Sequence, residues 1–296
     1  MVCKYRVVLS IDGGGIRGLI PLRIIAHLER IFKEIDPDLD IPTSVDVFSS
    51  TSASTIFTGA MMLKDSKGKS KHKSQEILDL YVKRGKQIFS KNTGVDASHS
   101  IYPLTFVLDH YFGDITMEDL KNHFLFFSYN SISESSFAFS DTMDRYRNLA
   151  LSKVMTACSA YPGVFPPIQL GKMELVDGML TTQNPAQMAY DYARLFYPTD
   201  PIVLISVGTG THENMLKDHF EIEAERVHQE MKEKSFSDKK LLYFRFQPHL
   251  QSLTNYSFED ELHSITDLLN ETNDYIESNK NDFDRLIHLM EIRANS

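Results

Sequence analysis

Residues 5–28 read YRVVLSIDGGGIRGLIPLRIIAHL. The first six form a short β-type run. Leu19, Leu22, Ile25, Leu28, Ile31, Phe32 and Ile35 then recur at helical spacing, with Pro21 in the first turn, where a missing N–H costs little. Between the two lies Ile11-Asp12-Gly13-Gly14-Gly15-Ile16-Arg17-Gly18, whose glycines at 13, 15 and 18 fit G-x-G-x-x-G. Bare amides at a strand-to-helix turn suit an anion, because no Cβ holds it away and the helix N-terminus is positive. That anion is either the pyrophosphate of a bound dinucleotide or a charge that exists only during a reaction.

Outward from this turn, strand-like runs alternate with helical ones. Val45-Asp46-Val47-Phe48 reads as a second strand, and STIFTGAMML (54–63) and SQEILDLYVKRGKQIF (74–89) read as helices. FLFFSY (124–129) and SSFAFS (135–140) look like a strand pair, and LSKVMTACSAY is helical up to Pro162. MELVDG, PIVLISVG and LLYFRF add further strands. The alternation predicts a layered α/β fold with a mainly parallel sheet. No linker divides the chain convincingly. The reading is a core over 1–212 and an acidic segment over 213–296, one strand plus helices packed on the same domain. In that tail Phe258, Leu262, Ile265, Leu268, Leu269, Tyr275 and Ile276 form an apolar stripe suited to capping a core.

Composition narrows the function. The net charge is −9, and from Glu213 onward 18 Asp/Glu stand against 10 Lys/Arg, so the acidity lies in the tail. That balance argues against a nucleic-acid partner, which needs a basic face. The lysines at 64, 67, 69, 71 and 73 read as a solvated loop, with contact to anionic headgroups as the alternative. No apolar run is long enough to span a bilayer, and the N-terminus has no secretory h-region. A cytoplasmic or peripheral-membrane location is expected, with signal-peptide-independent export as a further route. Cys3 and Cys158 cannot build a disulfide framework and suit small buried hydrophobes.

Three constellations carry chemistry. The dinucleotide reading wants an acidic residue some 20 positions after the glycines, and Asp36, Asp38 and Asp40 are near that distance. The same carboxylates imitate an EF-hand start, but Ile41 and Val47 stand where that loop needs Gly and Glu, leaving a solvated, Pro-flanked turn. The second constellation is VDVFSSTSAS (45–54), which sets Ser52 directly after a strand and before a helix. A sharp turn there lifts Oγ above the sheet and aims the helix N-terminus at it. Such elbows normally carry Gly two positions either side. Here those positions are Ser50 and Ser54, which would be strained if either needs positive φ. The third is Asp177, at the end of a strand and followed by Gly178, which permits close approach. None of His212, His219, His228, His249, His263 or His288 sits in a motif that marks it as a triad member, so Asp177 is preferred as sole base. Such a base needs apolar surroundings that raise its pKa. Gly13, Gly14 and Gly15 then face a carbonyl under attack by Ser52 as an oxyanion hole.

With these residues in view, the chain resembles the patatin-like phospholipase family. LSIDGGGIRGLIP looks like its D-G-G-G-x-R-G turn, VDVFSSTSAS sits where it has G-T-S-x-G, and LVDGMLTTQNPA looks like its aspartate segment. TACSAYPGVFPP and ISVGTGT also resemble flanking segments. The likeness runs from about Tyr5 to Thr211. It implies an α/β/α sandwich and a Ser-Asp lipid acyl hydrolase with no metal or cofactor, acting on phospholipids or lysophospholipids at a membrane or micelle surface. Ser52 would be nucleophile, Asp177 base and Gly13, Gly14 and Gly15 oxyanion donors. Arg17 would meet phosphate or support the turn with Gly18 and Gly178. Ile56, Phe57, Met61 and Met62 follow the serine turn and suit either an acyl groove or core packing. Ser50, Ser54 and Met179 depart from the family pattern and motivate the alternative, a silent fold used to bind lipid or protein.

Overall fold

The computed structural model describes residues 5–89, 102–212, 218–251 and 261–294. In chain order its elements are β1 (Arg6–Ile11), α1 (Leu19–Ile35), α2 (Ile41–Ser44), β2 (Val47–Thr51), α3 (Ser54–Met62), α4 (Ser74–Phe89), α5 (Tyr102–Phe112), β3 (His123–Asn130) and β4 (Ser135–Ser140). There follow α6 (Leu151–Cys158), β5 (Ile168–Leu170), β6 (Met173–Asp177), α7 (Ala186–Phe196), β7 (Ile202–Val207), α8 (His219–Ser237), β8 (Leu241–Phe246), α9 (Glu261–Ser278) and α10 (Lys280–Ala294).

The strands form one sheet, hydrogen-bonded in succession β5-β6-β3-β2-β1-β7-β8, with β4 on β3. Pairs β1–β2, β2–β3, β1–β7 and β7–β8 are parallel. The chain winds to one side of β1 and later returns to its other side. Loops beyond the carboxyl end of β1 therefore face the crevice where such sheets bind ligands. Period-two alternation builds the layers. Val7, Leu9 and Ile11 of β1 point into a large core with α1, α3, α4, α5, α6, α9 and α10, while Val8 points into a smaller one with α7 and α8. The result is a three-layer α/β/α sandwich.

One part of the sheet escapes the parallel pattern, and it positions the site. β4 pairs antiparallel with β3 along 125–130 and fills one edge of that strand. The other edge is shared: β2 occupies it up to Thr51 opposite Phe127, and β6 arrives antiparallel until Asp177 stands opposite Ser128. The two strands thus run toward each other and meet end to end. With β2 in the way, the chain after Asp177 must leave across β3. A Cβ at Gly178 would lie 2.5 Å from the Phe127 carbonyl carbon and oxygen, so only glycine fits.

Residues of the acidic segment belong to this same body: β8 pairs with β7, and the α9 stripe residues Ile265, Leu268 and Ile276 are buried, as is Phe283 of α10, whose ring meets His27 and Phe246. Phe258, Cys3 and the side chain of Leu262 lie outside the described residues. Two local readings need correction. Asp40 is not solvated but 4% exposed, and caps α2 by accepting from Thr43 N at 2.9 Å while also accepting from Ser70 N at 2.7 Å. Helix α6 stops at Cys158, short of Pro162, and a Tyr161–Val164 turn follows with Gly163 at φ 84°.

Candidate active site

Ser52 follows β2 directly and has φ 58°, the left-handed region that side chains avoid. Its carbonyl accepts from both Thr55 N at 3.0 Å and Thr55 Oγ1 at 2.8 Å, which holds the strained turn closed at the start of α3. The strain expected at Ser50 or Ser54 is absent, since neither has positive φ. Ser54 instead donates its hydroxyl to the Asp12 carbonyl at 2.6 Å and so ties the serine turn to the glycine turn. The departure from glycine at 54 has a structural use.

Ser52 Oγ donates to Asp177 Oδ2 at 2.6 Å. Asp177 is fully buried, and desolvation drives its pKa from 3.8 up to about 7, against the hydrogen bonds from Ser52 and from Met179 N. The Met179 amide reaches Oδ1 at 2.8 Å, a contact made by backbone alone. Methionine at 179 therefore leaves the carboxylate's support intact. Ser52 itself is 5% exposed.

The glycine turn lies against this pair: a Cβ on Gly13 would sit 3.2 Å from Ser52 Cβ. Its three amides are not equivalent. Gly13 N donates to the Gln183 carbonyl at 3.1 Å, so this N–H is already used and Gly13 drops out as an oxyanion donor. Among the described residues, the amides of Gly14 and Gly15 have no hydrogen-bond acceptor. In a trans peptide the N–H points opposite the preceding C=O, so fixing that carbonyl aims the N–H. The Gly13 carbonyl accepts from Gln183 Nε2 at 2.7 Å and Thr209 Oγ1 at 2.9 Å, which orients the Gly14 amide. The Gly14 carbonyl accepts from Arg17 N at 3.0 Å and orients the Gly15 amide. Gly15 has φ 53°, and a Cβ at Gly14 would lie 2.5 Å from Thr209 Oγ1. Neither position tolerates a side chain.

Arg17 is anchored beside the turn. Its guanidinium donates to the Gly210 carbonyl at 3.0 Å and to buried Glu221 at 3.0 Å. Gly18 lets α1 approach its neighbours, since a Cβ there would be 3.0 Å from Phe57 Cε1 and 3.2 Å from the Tyr81 hydroxyl. That hydroxyl donates to the Gly15 carbonyl at 2.7 Å. Beneath the turn, Arg245 grips Asp12 with two bonds of 2.9 and 2.5 Å, and both side chains are buried. Burial pushes the Asp12 carboxyl up while Arg245 draws it back, and the guanidinium keeps its proton.

A family model described as Patatin-like phospholipase matches residues 9–190, the span that contains the glycine turn, Ser52 and Asp177. The chain belongs to the patatin-like phospholipase family. Patatin-like protein 6 of Arabidopsis thaliana is 28% identical over 233 residues, covering 69% of this chain and 46% of that protein. Patatin-1-Kuras 2 of Solanum tuberosum is 27% identical over 246 residues, covering 72% of this chain and 64% of that protein. The chain thus spans about half to just under two thirds of the length of these relatives. Among solved structures, VipD from Legionella pneumophila matches at 11% identity with a TM-score of 0.42, over 93% of this chain and 67% of that one.

Within this patatin-like chain, several residues that hold the site carry no sequence signal of their own. Gln183 sits in the aspartate segment LVDGMLTTQNPA and Thr209 in the flanking segment ISVGTGT, and the resemblance gives neither residue a role. Arg245 lies in a β8 run read merely as strand, and its period-two place toward Asp12 emerges only from the β7–β8 register. The proposed acyl groove divides. Ile56 and Phe57 line an apolar cleft of about 40 Å³ with Tyr81, Leu108 and Tyr111. Met61 and Met62 are fully buried in the large core.

Proposed function

We propose that this chain is a lipid acyl hydrolase of the phospholipase A or lysophospholipase type, working through Ser52 and Asp177. The observation that carries the reading is the 2.6 Å hydrogen bond from Ser52 to a buried carboxylate with pKa about 7, beside two aimed and unpaired amides. Ser52 Oγ attacks the ester carbonyl as its proton passes to Asp177. The carbonyl oxygen becomes an oxyanion held by the N–H groups of Gly14 and Gly15, donors of a kind worth about 3–4 kcal/mol of barrier each. Collapse expels the alcohol, lysolipid or glycerol derivative, which takes the proton from Asp177 and leaves an acyl-Ser52 ester. Water attacks that ester, gives its proton to Asp177, and fatty acid departs as the proton returns to Ser52. A carboxylate with pKa about 7 is a far better base than an ordinary aspartate at neutral pH.

Family membership supports a lipid substrate; the reading extends it to phospholipid or lysophospholipid presented at a membrane or micelle surface, with the chain bound peripherally. Among the described residues no helix is long and apolar enough to cross a membrane. Strain at 50 and 54, the ground for a silent fold, is missing from the site. The test is labelling by a fluorophosphonate together with fatty-acid release from mixed micelles in the presence of chelator. Ser52→Ala is expected to lose both, and Asp177→Asn to lose turnover. Unaltered hydrolysis by either variant contradicts the assignment, and absence of labelling in the parent with or without lipid vesicles favours the silent fold.

A further inference from the structure

A second cleft, of about 650 Å³, opens between α1, α4 and α9 and shares no lining residue with the candidate active site. Its size suits a small ligand. Arg23 of α1 faces it half-buried, and its Nε donates to the amide oxygen of Asn273 at 2.7 Å. Among the described residues no carboxylate pairs with Arg23. Burial weakens its hold on a proton, and Arg30, two turns along the same helix and of like sign, adds to that. Half-buried cations are normally matched by an anion, because desolvating an unmatched charge is costly. The cleft's own carboxylate, Asp79, sits at the exposed lip and accepts from Gln75 at 2.8 Å. The remaining walls are apolar: Ala26, Leu78, Val82 and Leu269.

We propose that this cleft binds an anionic amphiphile, with a phosphate or carboxylate head on Arg23 and an apolar chain along Leu78, Val82 and Leu269. Fatty acids and anionic phospholipids share that chemistry, and the choice of head group separates them. The experiment uses the full chain carrying Ser52→Ala, so that no probe is consumed. Binding of dodecyl phosphate, laurate, inorganic phosphate and neutral dodecyl maltoside is measured calorimetrically below the micelle concentration. One-to-one binding of dodecyl phosphate or laurate is expected, weakened at least tenfold by Arg23→Gln, and the tighter of the two identifies the head group. Asn273→Asp supplies the missing counter-charge at the same position, so it is expected to abolish the affinity while raising the melting temperature. That variant keeps the test decisive should Arg23→Gln fold poorly. Equal affinity in both variants, or binding of inorganic phosphate or the maltoside as tight as that of the charged amphiphiles, overturns the proposal.

Discussion

Asp177→Asn removes a charge that the fold holds at a cost, and the cost is calculable. Asp177 has pKa about 7 in the folded chain against 3.8 ordinarily, because it is fully buried beside Ser52 and the Met179 amide. Between those values the folded protein retains a proton that the unfolded chain has released. Stability contributed by this group is therefore complete below about pH 4 and falls as pH rises through about 7. The displacement, at about 1.36 kcal/mol per pH unit, amounts to about 4 kcal/mol above pH 8. Asparagine carries no such penalty. Its Oδ1 still accepts from Met179 N, and its amide donates to Ser52 Oγ, so the first hydrogen bond persists unchanged and the second persists reversed. Urea denaturation of parent and variant at several values from pH 4.5 to 8.5 isolates the effect, since every other titrating group is common to both. The stability gained by the variant is expected to grow with pH by about 3 kcal/mol in that series. A difference independent of pH, or one shrinking toward pH 8.5, refutes the claim that Asp177 is held raised by desolvation.

The same carboxylate sets the pH dependence of turnover: kcat/KM on a soluble ester should climb as Asp177 ionises through about pH 7 and then level off. A profile already flat from pH 5 to 8 contradicts it. Ser52→Gly and Ser52→Ala both delete the hydroxyl, yet glycine accepts φ 58° freely. The glycine variant should be the more stable by about 1 kcal/mol in denaturant titration, and equal midpoints argue against a strained elbow. Gly14→Ala would press a methyl onto Thr209, the residue that fixes the Gly13 carbonyl. Its fluorophosphonate labelling rate should fall about a hundredfold, while labelling at the parental rate rules out an aimed Gly14 amide.

Much of this site is legible in the linear chain because its parts are local. A glycine turn between strand and helix, a serine turn between strand and helix, and an aspartate before glycine are each written in fewer than ten residues. Local chemistry constrains each one: Gly15 must take positive φ, and Gly178 must clear the Phe127 backbone. The alternation of apolar runs likewise encodes a layered α/β fold, since a strand buried on both faces needs aliphatic side chains in both directions, as in β1 and β7.

What the chain alone leaves open is the direction from which its parts approach. Nothing in MELVDG states that β6 runs antiparallel and meets β2 head-on along one edge of β3, yet that pairing brings Asp177 to Ser52. Nor do three consecutive glycines reveal which amides stay free. Gln183, 170 positions along the chain, occupies Gly13 and, with Thr209, aims Gly14. Ser54 stands only as a departure from glycine, and Arg17 has two candidate roles, until their partners Asp12 and Glu221 are in place. Local geometry follows from neighbouring side chains and backbone sterics, which sequence specifies directly. Pairing direction, burial and the free state of an amide depend on groups far apart in the chain, and only folding decides which of those become neighbours.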